Sequence, residues 1–116
     1  MSTQENGHGD EVFTLIELYY PKDGRLEDMM AITKASAKMV QGMPGLLQSQ
    51  VLRPVGKKGP ISNISTWKSR AEFQTFVQSD EMKALLKSND FANAKAWCDD
   101  LKAMMFSNEM GWHEGM

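Results

Sequence analysis

Three side chains with hydrogen-bonding groups share one face of a predicted strand near the middle of the chain. Residues 61–68, ISNISTWK, alternate as a strand does, which puts Asn63, Ser65 and Trp67 on the same side. Asn63 and Trp67 are then about 13 to 14 Å apart, at ~3.3 Å per residue, and bracket a space of small-molecule width. Amide and indole N–H groups that point into an apolar cleft can stabilise a developing oxyanion. The same spacing also fits a structural strand in which Asn63 satisfies a backbone group and Trp67 fills the core, so the residue types alone leave both interpretations open.

Periodic apolar residues and turn signals on either side of this strand predict the elements that hold it. Residues 25–41 carry one helical apolar stripe, which Gly42 ends. The loop over 54–60 contains Gly, Pro and Lys and suits two antiparallel strands. In chain order, we predict a strand over 11–20, a helix over 25–41, strands over 46–53 and 61–68, helical segments that begin at 70, 80 and 89 or 90, and a final strand over 105–113.

Polar residues in front of the predicted helices act as start signals. Asp23 can cap the first helix. Ser69 and Glu72 have the S-x-x-E spacing of a capping box, so the next helix should begin at Arg70. Ser79 can cap the helical segment that follows.

The last predicted helix carries an apolar stripe at helical spacing, formed by Phe91, Ala94, Cys98 and Leu101. Cys98 lies on this stripe with no histidine nearby in the sequence. We therefore interpret it as a buried thiol that packs as a small hydrophobe and not as a nucleophile.

The predicted order β-α-β-β-α-β is that of a ferredoxin-like α+β fold with an antiparallel sheet and an enlarged second helical region. Helices cover one face of such a sheet. The first strand, EVFTLIELYY, is largely apolar on both faces. Leaving an apolar sheet face in water costs about 25 cal/mol per Å², so a second copy of the chain is the expected cover. We therefore predict a homodimer.

Composition limits the class of protein. The 116 residues suit a single domain over 11–116, preceded by a flexible tail over 1–10. A formal net charge of -2 gives no reason to expect nucleic acid or a membrane surface as partner. The single cysteine suits a cytoplasmic protein, and the start of the chain has no secretory signal pattern. We find neither a nucleotide-binding glycine motif nor a metal-ligand spacing, so we predict no cofactor and no metal.

Two stretches resemble a known family. MPGLLQSQVLRP (43–54) and NISTWKSRAEFQTFVQSDEMKALL (63–86) are similar to the antibiotic biosynthesis monooxygenase family of dimeric α+β barrels. The shared features are a P-G-hydrophobic entry to the second strand and a strand ending in W-x-S before a helix with E-x-F. Within the family, the cofactor-free oxygenases that convert anthrones to quinones carry N-x-x-x-W on this strand, which corresponds to Asn63 and Trp67.

The resemblance implies an activity and a set of site residues. It implies oxidation of a phenol, hydroxyanthrone or quinol by O₂ without metal or flavin, with Asn63 and Trp67 as catalytic residues. Ser65, Phe73 and Phe76 are then expected to bind the substrate. The same enzymes have a tyrosine where this chain has Phe73.

Two other functions are compatible with the resemblance or the fold. A haem-degrading branch of the family holds iron with a histidine at the position of Leu86, so this chain lacks that ligand. A non-enzymatic dimeric barrel that binds an apolar ligand or a partner is the alternative that Phe73 leaves open, because one fold serves many functions.

Overall fold

The computed structural model describes residues 11–56 and 58–111, so the predicted tail over 1–10 lies outside the described residues. Within these described ranges, four strands and four helices follow one another in the predicted order. They are β1 (Phe13–Pro21), α1 (Leu26–Val40), β2 (Leu46–Leu52), β3 (Ile61–Trp67), α2 (Arg70–Val77), α3 (Asp80–Leu86), α4 (Asn89–Trp97) and β4 (Cys98–Ser107).

The strands form one antiparallel sheet in the order β2-β3-β1-β4. This arrangement confirms the predicted ferredoxin-like α+β fold. The two central strands, β1 and β3, run side by side, with Glu17 opposite Asn63 and Leu15 opposite Ser65. The polar face that the sequence singles out therefore lies at the centre of the sheet.

Strand alternation divides the sheet into two faces. The inner face carries Phe13, Leu15, Glu17 and Tyr19 of β1 beside Ile61, Asn63, Ser65 and Trp67 of β3. All four helices contribute side chains on this side, where they enclose a cavity with the sheet. On the outer face, Ile16 lies between Ile64 of β3 and Met104 of β4. No described helix supplies a cover for that outer row, as the two-faced apolar pattern of β1 predicts.

The core is built where α1 crosses the sheet. Met29, Met30 and Ile61 are buried together, and Tyr19, Leu26 and Trp97 pack against them. Four members of the predicted helical stripe are the buried residues of α1, namely Met29, Met30, Thr33 and Ala37. Over the ranges that the structure describes, every helix is too short or too polar to span a bilayer.

The starts of the short helices are set by serine caps. The hydroxyls of Ser69, Ser79 and Ser88 each accept a hydrogen bond of 3.2 Å from a backbone N–H of the first turn. The predicted caps at Ser69 and Ser79 are confirmed. The predicted cap at Asp23 is wrong, because α1 begins after Arg25 and no side-chain cap is present there.

The last strand begins earlier than predicted. The helical stripe through Cys98 and Leu101 ends at Trp97, and both residues belong to β4, where Leu101 pairs with Tyr19. Two carboxylates, Asp99 and Asp100, would sit unfavourably at the C-terminal end of a longer helix. Pairing along the whole of β1 supplies the backbone hydrogen bonds that outweigh the local period. The predicted strand over 105–113 is therefore confirmed only to Ser107, and its last two residues lie outside the described part.

The glycine just before the second strand lies against the second helix. Gly45 has a φ of +87°, and a Cβ at this position would collide with the side chain of Glu72, whose Cγ would be 2.7 Å away. Its carbonyl also accepts a 2.7 Å hydrogen bond from the Lys68 backbone. The positive φ and the collision with Glu72 both act against a side chain here, which explains the Pro-Gly entry to β2.

Candidate functional site

A cavity of about 280 Å³ lies between the inner face of the sheet and the helices. Most of its lining is apolar, and the helices supply three methionines, Met29, Met39 and Met82. The polar residues on the sheet wall are Glu17, Tyr19, Asn63, Ser65 and, on β4, Lys102. An apolar pocket with a few converging polar groups is typical of a small-molecule site.

The sheet wall contains the polar row that the sequence analysis singled out. Asn63, Ser65 and Trp67 all line the cavity. The Trp67 Nε1–H donates to Ser65 Oγ at 3.0 Å, and Trp67 is only 1% exposed. The indole N–H is thus occupied by the neighbouring hydroxyl. Because an oxygen that accepts one hydrogen bond can still donate its own O–H, Ser65 is the group of this pair that can reach a bound molecule.

Aromatic rings from α2 form the wall beside Trp67. Phe76 stacks on the indole with ring centroids 5.5 Å apart, and Phe73 meets it edge-on at 5.4 Å. Phe73 also packs edge-on against Phe13 at 5.1 Å. Both phenylalanines line the cavity, so the structure brings together all the site residues that the sequence analysis named.

Two polar residues of β1 that line the site escaped the sequence analysis, Glu17 and Tyr19. Both lie on the inner face of β1, and the Asn63 amide donates to Glu17 Oε1 over a long 3.5 Å. The Tyr19 hydroxyl donates to Glu17 and accepts from Asn63. The available signal was the position of Glu17 between Leu15 and Tyr19, where a charge interrupts an otherwise apolar strand face.

Burial controls the charge of this group of side chains. Loss of water contact raises the pKa of Glu17 above its ordinary value of 4.5, although the hydrogen bond from Tyr19 partly offsets this. Burial and the neighbouring Glu17 charge raise the pKa of Tyr19 so far that its phenol stays neutral. Burial likewise raises the pKa of the Cys98 thiol, in keeping with the predicted packing role.

Neither a metal-binding cluster nor the haem ligand of the related branch is found in the described residues. Within 11–56 and 58–111, His, Cys, Asp and Glu side chains nowhere gather in a group of three or more that could hold a metal ion. Leu86 is 46% exposed and does not line the cavity, whereas its neighbour Leu85 does.

Comparison with known proteins identifies a family. The family described as antibiotic biosynthesis monooxygenase matches this chain over residues 12–88, a range that contains the first three strands and the first three helices. Among curated proteins, no significant match is found.

Solved structures share the fold at low sequence identity. A conserved protein from Methanosarcina mazei Go1 matches with a TM-score of 0.70 at 11% identity, covering 90% of this chain and 99% of that one. PA3566 from Pseudomonas aeruginosa gives 0.70 at 16%, covering 90% and 100%. SnoaB, a cofactor-independent oxygenase from Streptomyces nogalater solved with one asparagine replaced by alanine, gives 0.70 at 15%, covering 90% and 99%. At these identities the likeness establishes the fold.

Proposed function

The chain belongs to the antibiotic biosynthesis monooxygenase family, and from this premise we propose that it oxidises a phenol, hydroxyanthrone or quinol with O₂ to a quinone, without a cofactor. The observation that carries the proposal is the polar sheet wall of the cavity. Asn63 and Ser65 lie two residues apart on β3 and face a space that is otherwise largely apolar. Donors in such a position are suited to holding a phenolate oxygen.

The proposed reaction uses the electrons of the substrate itself. An activated C–H of the substrate loses a proton, and the resulting carbanion passes one electron to O₂. Superoxide and the substrate radical then combine to form a C–O bond, and the peroxide takes up a proton. Cleavage of the O–O bond with loss of the remaining hydrogen on that carbon releases water and leaves a carbonyl. One oxygen atom enters the product and the other leaves as water.

The shape and walls of the cavity support a compact aromatic substrate. Its volume of about 280 Å³ is just below the ~300–1,000 Å³ typical of ligand pockets. Phe73 and Phe76 offer ring edges and faces for stacking against a flat molecule. We assign substrate binding to these two rings and to the Ser65 hydroxyl.

Asn63 and Trp67 have different roles in this proposal. Asn63 donates directly to the developing oxyanion, since its amide reaches the cavity and its bond to Glu17 is long. Trp67 acts through Ser65, because the indole N–H donates to that hydroxyl and thereby strengthens it as a donor.

We further propose that the protein acts as a homodimer. Ile16, Ile64 and Met104 form an adjacent row on the outer face of the sheet, and Met104 is 38% exposed. Phe106 and Leu52 on the same face are 48% and 46% exposed. A symmetric pairing of two such faces would bury this row in both chains at once.

A non-enzymatic barrel that binds an apolar ligand remains the second candidate. The observation in its favour is that Phe73 has no hydroxyl and that the Trp67 N–H is already hydrogen-bonded within β3. The two candidates differ in whether the protein consumes oxygen.

Oxygen uptake by the purified protein tests the proposal. With a dihydroxyanthrone as probe, we expect uptake above the spontaneous rate and a matching amount of quinone. With a hydroquinone, two electrons and the two hydroxyl protons pass to O₂, so the expected products are quinone and hydrogen peroxide. Replacing Asn63 by Ala should lower kcat roughly 10²- to 10³-fold, the usual cost of one oxyanion donor. Asn89→Ala, the same chemical change at an exposed position of α4, is the control and should leave turnover unchanged. Absence of uptake with both probes would favour the binding protein.

A further inference from the structure

Glu17 has no ion-pair partner among the described residues of the candidate site, since Lys102, which also lines the cavity, pairs with Asp100. Among the described residues that line the cavity, it is the one carboxylate, and it lies at the centre of β1. It faces Asn63 on β3 and Ala103 on β4, and neither carries charge. A partly buried carboxylate without a cation destabilises the fold, so a structural role alone does not account for it.

The ionisable groups around Glu17 do not neutralise it. From β1 it meets the Tyr19 phenol, which stays neutral. From β4 come the Cys98 thiol, close to Tyr19, and Lys102, whose ammonium lies 5.3 Å from the Tyr20 ring and 3.9 Å from Asp100 Oδ2. Lys102 pairs with Leu18 across the strands and also lines the cavity, but its ion pair is with Asp100 and not with Glu17. The lining residues of β3 and of the four helices carry no ionisable group.

We propose that Glu17 is the general base of the site, taking the substrate proton whose loss starts the reaction with O₂. This inference rests on the proposed function. Its carboxylate lines the cavity beside the Asn63 amide, so a substrate whose oxygen accepts from Asn63 lies within reach of Glu17. An electron pair stays on the substrate carbon as the C–H proton moves to the carboxylate oxygen. The neutral acid later returns this proton to the peroxide that forms on the substrate.

The hydrogen bond between Asn63 and Glu17 weakens when Glu17 accepts the proton. The ionised carboxylate competes with the substrate for the Asn63 amide, to which it is linked at 3.5 Å. Once protonated, Glu17 is a weaker acceptor, and the substrate has become an anion that accepts strongly. Proton transfer therefore releases Asn63 towards the oxyanion at the moment when the charge appears there. Burial, which raises the pKa of Glu17, also makes it a stronger base than an exposed carboxylate.

The test separates proton removal from oxygen chemistry. Without O₂, a dihydroxyanthrone in D₂O exchanges its methylene protons, and NMR measures how much the protein accelerates this exchange. With O₂, uptake measures the complete reaction. Glu17→Gln keeps the shape and can still accept from Asn63, Glu17→Asp keeps a shortened carboxylate, and Glu81→Gln is the matched control on an exposed turn of α3.

We expect Glu17→Gln to lose roughly 10²- to 10⁴-fold in both assays, the usual contribution of a general base. Glu17→Asp should keep part of the activity, and Glu81→Gln should keep all of it. Wild-type exchange should rise with pH through one ionisation that is absent from Glu17→Gln. Binding of the quinone product, followed by quenching of tryptophan fluorescence, should change little in Glu17→Gln.

Each other outcome decides against one of the proposals. Exchange and uptake by Glu17→Gln within about threefold of wild type would overturn the base assignment and leave the proposed function standing. Exchange without oxygen uptake by wild type would overturn the proposed function, and the exchange rate of Glu17→Gln would still decide the role of Glu17. If wild type accelerates neither process, both proposals are wrong.

Protein stability gives an independent reading of the same residue. Since its pKa is raised in the folded state above the ordinary 4.5, Glu17 favours folding below that pH, and this advantage is lost as pH rises through the folded-state pKa. Glu17→Gln should therefore be more stable than wild type at pH 8 and lose this gain on acidification. A Glu17→Gln protein that is less stable at pH 8 would show that the carboxylate is a structural group, which contradicts the proposal.

Discussion

The hydrogen bond from Trp67 to Ser65 predicts that these two residues act as a unit in turnover. If Trp67 works through the Ser65 hydroxyl, Ser65→Ala removes the donor itself and should lower kcat roughly 10²- to 10³-fold. Trp67→Phe keeps a ring and removes the N–H, so it should cost only about tenfold, equivalent to ~1.4 kcal/mol of lost polarisation. In the Ser65→Ala background, Trp67→Phe should then have almost no further effect on kcat.

The stability of the same variants follows from their burial. Ser65→Ala leaves the indole N–H without a partner at a side chain that is 1% exposed, which costs about 1–3 kcal/mol. Trp67→Phe loses that hydrogen bond and part of the stacking on Phe76. Its expected cost is about 2–4 kcal/mol, below the ~3–5 kcal/mol of a full aromatic truncation. Urea unfolding at one fixed protein concentration measures both values.

A double-mutant cycle on kcat is the decisive measurement. We expect a coupling energy of about 1.4 kcal/mol, well outside the ~0.5 kcal/mol within which independent sites add. Ser49→Ala is the control. It is the same chemical change at the residue that pairs with Ser65 on β2, and Ser49 does not line the cavity. Additive effects, with Trp67→Phe costing as much in the double variant as alone, would show that the indole donates to the substrate directly and would refute this reasoning.

Three further predictions concern other parts of the molecule. Gly45→Ala should cost about 2–4 kcal/mol of unfolding free energy, because it combines a positive φ with a collision against Glu72. Gly42→Ala has a similar φ of +84° but open space around it, so it should cost only about 1 kcal/mol. Equal costs for the two variants would refute the packing argument. Ile64→Asp should weaken the dimer about 10²- to 10⁴-fold, since each of the two chains loses the ~1.5–3 kcal/mol that burial of one isoleucine side chain contributes. Light scattering of a dilution series measures this. A wild-type protein that is already monomeric would contradict the prediction. Phe73→Tyr should raise turnover of a dihydroxyanthrone about fivefold, equal to ~1 kcal/mol from one added hydrogen bond, and unchanged oxygen uptake would show that the hydroxyl has no partner on the substrate.

The sequence predicts the site best where a local rule sets the geometry. Strand alternation alone put Asn63, Ser65 and Trp67 on one face, and the cavity lies against that face. The serine cap at Ser69 sets the start of α2, which in turn brings Phe73 and Phe76 against the indole. Each of these inferences depends on neighbours within a few residues of one another.

The sequence predicts least where distant strands decide the outcome. Glu17 gains its importance from Asn63, which is far away in the sequence and becomes its partner only through the β1–β3 register. The early start of β4 likewise depends on pairing with β1, which a helical period around Cys98 cannot reveal. In both places the local sequence pattern is visible, but the structure it adopts is decided by a contact with a strand that is distant in the sequence.

The three serine-capped helices between β3 and β4 separate selectivity from reactivity. The side chains that this stretch contributes to the cavity are all apolar, namely Phe73, Phe76, Met82, Leu85, Phe91 and Ala94. At the start of each helix a backbone N–H donates a hydrogen bond to its own serine hydroxyl, and α3 and α4 contain no buried residue among those described. Substitutions that change the size of these helical side chains would change the shape of the substrate cavity and leave the polar residues of β1 and β3 unchanged. The architecture therefore allows new substrates to evolve without reinventing the reaction.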